Sequence, residues 1–209
     1  MSVPTVLGVF AHPDDETLGA GPLIAHCVAR GARVELLVAT RGERGWRGPE
    51  VDDPGPAAVG RLREAEARSA AEVLGVSRIG FLDLIDGEVA AAPSAGVAAR
   101  IAAALRRARP EVVVTFGPDG LTGHPDHIAV SRLTGAAMLL AASEGEGGPA
   151  HLVPKAYQLI ETRERVADLE RAFGGPFGYR GRTVAGCEPW SVTLRIDTRE
   201  HVDTVPVSY

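Results

Sequence analysis

Short aliphatic runs alternate with stretches of helical periodicity along the first two thirds of the chain, and this alternation leaves few architectures open. Residues 3–10 are almost continuously apolar, the pattern of a strand buried on both faces. Residues 33–39 (RVELLVA), 79–82 and 111–116 (EVVVTF) read as three more strands. Between and after them, residues 22–30, 61–74, 95–109 and 128–142 repeat small and aliphatic side chains at helical spacing. Pro22 suits a first helical position, while Gly31 and Gly75 suit C-caps. Arginines crowd the last turn of the third helix, where the helix dipole favours cations, and Pro110 closes it. The order predicts an α/β, Rossmann-like, mostly parallel sheet with flanking helices. Residues 40–60, rich in Gly, Arg, Asp and Pro, read as a long loop. Past a linker-like 145–149, residues 157–161 and 191–197 read as strands and 163–172 as a short helix. The expectation is a single domain over 1–209: a core at 1–142 and a small C-terminal β-rich cap portion at 150–209. Residues 201–209 carry only a weak pattern.

Composition excludes several classes of function. The 209 residues are 45% apolar and 23% charged, ordinary values for a folded domain. A net charge of −5 provides no basic field for nucleic acid. No uncharged apolar run reaches the roughly 18 residues of a membrane span. The N-terminal stretch has no basic leader and meets acidic residues by Asp14, so a cytoplasmic location is expected. Cys27 and Cys187 form no CxxC pair and no disulfide framework. A homo-oligomer is compatible with all of this.

The chemistry gathers at two places. AHPDDE (11–16) follows the first strand, and GPDGLTGHPDH (117–127) follows the fourth. In doubly wound sheets ligands bind outside the carboxyl ends of strands, at the switch point between the first and fourth. Residues more than a hundred positions apart would thus share one cleft. Three histidines with several carboxylates and no cysteine suit Zn²⁺, or Fe²⁺ or Co²⁺. His12 and Asp15 lie three apart across a proline-led turn, so both can face one ion. Residue types alone leave open which of Asp14 and Asp15 is the ligand.

Together these motifs resemble the PIG-L/LmbE-type zinc-dependent de-N-acetylases, and the resemblance spans roughly residues 3–160. LLVATRGERG (36–45), RLREAEARSAAEVLGV (61–76) and FLDLIDGE (81–88) extend it. The resemblance implies His12, Asp15 and His127 as metal ligands and Asp14 as general base. His124 would stabilise the oxyanion or protonate the amine, with Asp126 orienting its imidazole. Arg61 would stand near the substrate, and Asp86 would hydrogen-bond a sugar. The implied partner is a small-molecule amino sugar, from which the enzyme removes an N-acetyl group as acetate. An amidase acting on a non-sugar or thiol-conjugate amide would use the same centre, and a relative that binds metal or sugar without turnover is a third reading. One position departs from some relatives: Thr122 stands where they carry a carbonyl-polarising tyrosine.

Other features carry two readings each. The loop RGERGWRGP (41–49) is either a solvated connection or a substrate rim, where Trp46 covers a sugar face and Arg44 or Arg47 meets an anion. FGGPFGY (173–179) is either an aromatic flap or a turn. His26 reads as a structural or surface residue, and His151 and His201 read as exposed. Gly19 and Gly21 open a dinucleotide fingerprint that fails at Ile24.

Overall fold

In the computed structural model, which describes residues 3–206, β1 (Thr5–Phe10) is the middle strand of a five-stranded sheet. Its side chains are buried on both faces, as the continuous apolar run requires. A one-turn helix α1 (Asp15–Leu18), then α2 (Gly21–Ala29) and β2 (Arg33–Thr40), complete the first crossover. A long loop leads into α3 (Pro56–Val73) and β3 (Arg78–Leu84). Next come α4 (Ser94–Ala108) and β4 (Val112–Phe116), the one-turn α5 (Gly120–Gly123), α6 (Pro125–Ala141) and β5 (Lys155–Leu159). The strand order is β3-β2-β1-β4-β5, with every neighbouring pair parallel. The chain ends with α7 (Arg163–Phe173), a hairpin of β6 (Gly178–Tyr179) and β7 (Arg182–Thr183), and a 3₁₀ helix at Arg199–Thr204.

The core is continuous through the sheet. Val97, Ile101 and Leu105 of α4 pack with Val130, Leu133 and Ala137 of α6 against the strands. α3 starts five residues earlier than expected, because Pro56 pre-sets the first helical φ and Gly55 turns the chain at φ 85°.

The C-terminal portion differs more. β5 does not belong to a cap but extends the main sheet beside β4, pairing Val112 with Lys155 through Phe116 with Leu159. Residues 191–197 form no strand. Their alternation of Val192, Leu194 and Ile196 needs a sheet edge to pair with, and none meets them; Leu194 and Ile196 stay 47% and 40% exposed. The antiparallel structure near the C-terminus is the two-residue hairpin β6–β7. Within the weakly patterned 201–209 stretch, 207–209 lie outside the described residues.

Candidate active site

β1 and β4 leave the sheet side by side, with the rings of Phe10 and Phe116 edge to face at 5.5 Å. The loops that follow therefore bring their polar residues together. His12 stands two residues beyond Phe10. His127, in the first turn of α6, lays its ring flat on Phe116, centroids 4.1 Å apart and 11° from parallel. Its Nδ1 meets the carbonyl oxygen of Gly120 at 3.0 Å. Gly120 has φ +69°, and a Cβ there would stand 2.9 Å from the Cβ of His127, so glycine is what lets this carbonyl come so near.

The hydrogen-bond partners fix the tautomers. With its Nδ1 proton donated to Gly120, His127 presents a lone pair at Nε2. His12 donates from Nε2 to Asp126 Oδ2 at 3.1 Å, with Asp86 Oδ1 at 3.2 Å, and presents its lone pair at Nδ1. The two free nitrogens stand 3.2 Å apart. Facing lone pairs at that distance repel unless a cation or proton lies between them. Asp15 joins them, with Oδ1 3.4 Å from His127 Nε2 and Oδ2 3.8 Å from His12 Nδ1. Backbone N–H groups of Ala11 and His12 hold Oδ2 at 3.1 and 2.7 Å. Ligand atoms around a tetrahedral zinc lie about 3.3 Å apart for bonds of about 2.0–2.1 Å. His12, Asp15 and His127 therefore fit a single divalent ion. The nearest ring nitrogens of His12, His124 and His127 also fall within 4.8 Å of one another, as do atoms of His12, Asp86 and Asp126. In the latter set the carboxylates already take the proton of His12, the arrangement of partners behind a ligand.

Electrostatics agree with that geometry. Burial disfavours charge on His12, but Asp126 and Asp86 outweigh it and hold its pKa up at about 10. Without a metal the ring therefore keeps a second proton, on Nδ1 between the two imidazoles, where a bound cation would replace it. His124 is pushed down to about 4 by burial and by His12 and His127, so it is neutral near pH 7. Its Nδ1 accepts the backbone N–H of Asp126 at 3.1 Å as the N-cap of α6, which leaves the ring proton on Nε2. The ring of Tyr179, carried on β6, lies against it with centroids 4.0 Å apart.

Asp14 adopts φ 103°, ψ −25° at the N-cap of α1, a conformation rare for a side-chain-bearing residue. Buried Glu16 supports it by accepting the Asp14 N–H at 3.1 Å. Arg63 and Arg47 donate to Asp14 Oδ2 at 2.8 and 2.7 Å. Among the described residues no hydrogen bond falls on Oδ1. Burial and the neighbouring Asp15 raise the Asp14 pKa, and the two guanidiniums pull against that rise.

One expectation, the role of Asp126, is corrected, and the remaining expected residues take the following places. The Asp126 carboxylate does not orient His124. It is fully buried and takes N–H groups of Gly87 (2.7 Å) and Val89 (3.1 Å) together with His12, so it is His12 that it aims. Arg61 is exposed on α3, whereas Arg63, about 200° further round the helix, reaches Asp14 and the carbonyl of Pro13. Asp86 is turned inward between His12 and the N–H of Arg44. The Arg44 side chain pairs with Glu88, so Arg47 is the loop arginine at the site. Trp46 lines a cleft of about 520 Å³ between this loop and α3, with its indole N–H on the carbonyl of Pro49. That cleft opens beside Asp14 and not onto the imidazoles. Sequence reasoning missed Glu16, Arg63 and the contact of Tyr179. The first two lie inside quoted motifs, and the third inside the aromatic stretch 173–179.

The chain matches the family described as PIG-L: GlcNAc-PI de-N-acetylase over residues 7–138, and it belongs to that family. It is 38% identical over 196 residues to a 1D-myo-inositol 2-acetamido-2-deoxy-alpha-D-glucopyranoside deacetylase of Kineococcus radiotolerans, covering 79% of this chain and 54% of that one. Among solved structures, a conserved protein of Thermus thermophilus aligns with TM-score 0.60 and 35% identity over 72% of this chain and 64% of its own. A 4-carboxy-2-hydroxymuconate hydratase of Pseudomonas putida aligns with TM-score 0.63 and 29% identity, covering 77% and 67% respectively. The chain spans little more than half the length of the Kineococcus relative. Among the described residues, no helix is long and apolar enough to cross a membrane.

Proposed function

We propose that this protein is a metal-dependent de-N-acetylase that hydrolyses the acetamide of an N-acetylglucosamine-type small-molecule conjugate. The observation that carries the reading is the convergence of His12 Nδ1 and His127 Nε2, 3.2 Å apart, with Asp15 beside them and Asp14 one residue away. A divalent ion held by His12, Asp15 and His127, with zinc the first choice for this donor set, would polarise the acetamide carbonyl and acidify a water.

The chain's own residues do the rest. Asp14 takes a proton from the attacking water through Oδ1, while Arg63 and Arg47 fix Oδ2 and so aim the free oxygen. Its raised pKa brings the base closer to neutral pH, where proton transfer is most effective. Neutral His124 donates from Nε2 to the oxyanion that develops on the former carbonyl, a contact worth a few kcal/mol where water is excluded. Asp14 then hands its proton to the nitrogen as the C–N bond breaks, giving the free amine and acetate. The wall formed by Trp46 and α3 would take the part of the conjugate beyond the sugar.

Acetate release from N-acetylglucosaminyl inositol, with zinc-loaded protein and a chelated control, tests the reading. Chelator-sensitive release supports it. The likeness to a hydratase gives the competing outcome: no acetate release, but metal-dependent addition of water to an unsaturated carboxylic acid.

A further inference from the structure

The C-terminal 3₁₀ helix packs on α2, and at that contact three ligand-type groups converge away from the candidate active site. His26 comes from α2; Glu200 and His201 come from Arg199–Thr204. One atom of each lies within 4.8 Å of the other two. The imidazoles sit edge to face at 5.4 Å. His201 Nε2 is 3.2 Å from Glu200 Oε1, yet among the described residues it has no hydrogen-bond partner although the atom is buried. At that distance the angle is wrong for a hydrogen bond, so nitrogen and oxygen stand side by side, as two donors around one cation do. Leaving a buried ring nitrogen unpaired is costly, and such an atom calls for a ligand.

The cluster already draws positive charge. Arg30 Nη1 lies 3.2 Å from His26 Nδ1 and 3.9 Å from Glu200 Oε1, on a side chain exposed enough to swing away. We propose that His26, Glu200 and His201 form a second divalent-metal site, for zinc or a similar borderline ion, which staples the C-terminal segment to α2. Two imidazoles and one carboxylate suit that class of ion, and displacement of Arg30 frees Nδ1 of His26.

The staple would act on the cleft. Val205, one residue past the 3₁₀ helix, lies against Gly21 at the start of α2, so closely that a Cβ on Gly21 would come within 2.7 Å of its Cγ1. Pro206 forms part of the cleft wall with Trp46 and Arg63. Loading the second site therefore fixes one wall of the cleft beside Asp14 without adding a group to the chemistry.

The full chain is loaded with Zn²⁺, and bound metal is counted by elemental analysis after gel filtration. Two equivalents are expected for the wild type, and one for H26A/H201A. One is also expected for H12A/H127A, which isolates the second site whatever becomes of the first. Trypsin reads the staple independently of activity, since Arg195 and Arg199 are exposed on either side of Asp197. At zinc a hundred times its dissociation constant, cleavage through local opening should slow by about 100-fold in the wild type and in H12A/H127A. H26A/H201A, with its fold checked by circular dichroism, should show no slowing. R30Q, which removes the competing cation, should keep the second equivalent. Unchanged stoichiometry and zinc protection in H26A/H201A, or loss of the second equivalent in R30Q, would overturn the proposal.

Discussion

Asp14 is held in a backbone conformation that costs about 1–3 kcal/mol for a non-glycine residue, and such strain gathers where a side chain must be aimed. Its partners say what for. Two arginines take one carboxylate oxygen and none takes the other. Asp14→Asn keeps the shape and both orienting contacts but loses the base. We expect metal content equal to wild type and turnover of the acetamide lowered about 10²–10⁴-fold; turnover within twofold of wild type would show that another group takes the proton. The prediction for Asp126 is different in kind, because this carboxylate touches His12 and not the cleft. Asp126→Asn should weaken zinc binding about 10–100-fold, measured by competition with a chelating dye, since the amide no longer fixes the His12 tautomer. A variant that binds zinc normally yet turns over slowly would assign Asp126 to the reaction instead.

At the scale of elements, α3 carries the sharpest test. Arg61 and Arg63 are two residues apart on one helix, and only Arg63 faces Asp14. Arg63→Ala should lower kcat/KM by about tenfold or more, while Arg61→Ala leaves it within about twofold; the reverse order would mean that the substrate reaches round the helix. This pair also shows what a sequence can and cannot tell. The motifs at 11–16 and 117–127 were legible because each directly follows a strand, and parallel pairing of β1 with β4 brings them together. Phase around a helix is another matter. A run of alternating Arg and Glu offers several arginines, and only the packed orientation of α3 selects one. The 191–197 stretch failed for a related reason: period-two alternation reports that a segment could pair, not that an edge is there to receive it. Arg106 shows the same limit. Its place in the last turn of α4 suggests service to its own helix dipole, yet its buried guanidinium bonds the carbonyls of Leu140 in the last turn of α6 and of Ser143 and Glu146 beyond it. Arg106→Met keeps the stem and leaves three carbonyls without a charged donor, so denaturant unfolding should show a loss of about 2–4 kcal/mol at unchanged activity per folded molecule.

For the molecule as a whole, the candidate centre is a cross-link. It joins the loop after β1 to the first turn of α6, with His12 and His127 115 residues apart in sequence. The two loops meet at donor atoms for a cation: His12 and Asp15 from one side, His127 from the other. A cation that binds this arrangement only in the folded state must stabilise the fold by mass action. At free zinc about 100 times the dissociation constant, that amounts to about 2.7 kcal/mol. For a chain of this size it corresponds to a rise in Tm of about 5–10 °C. The experiment belongs in the H26A/H201A background, where the second site proposed above cannot contribute. Calorimetry of the chelated protein against the zinc-loaded protein should then show the full shift, and adding H12A/H127A should abolish it. If the shift survives without His12 and His127, the ion binds elsewhere and the two loops are held together by their own contacts.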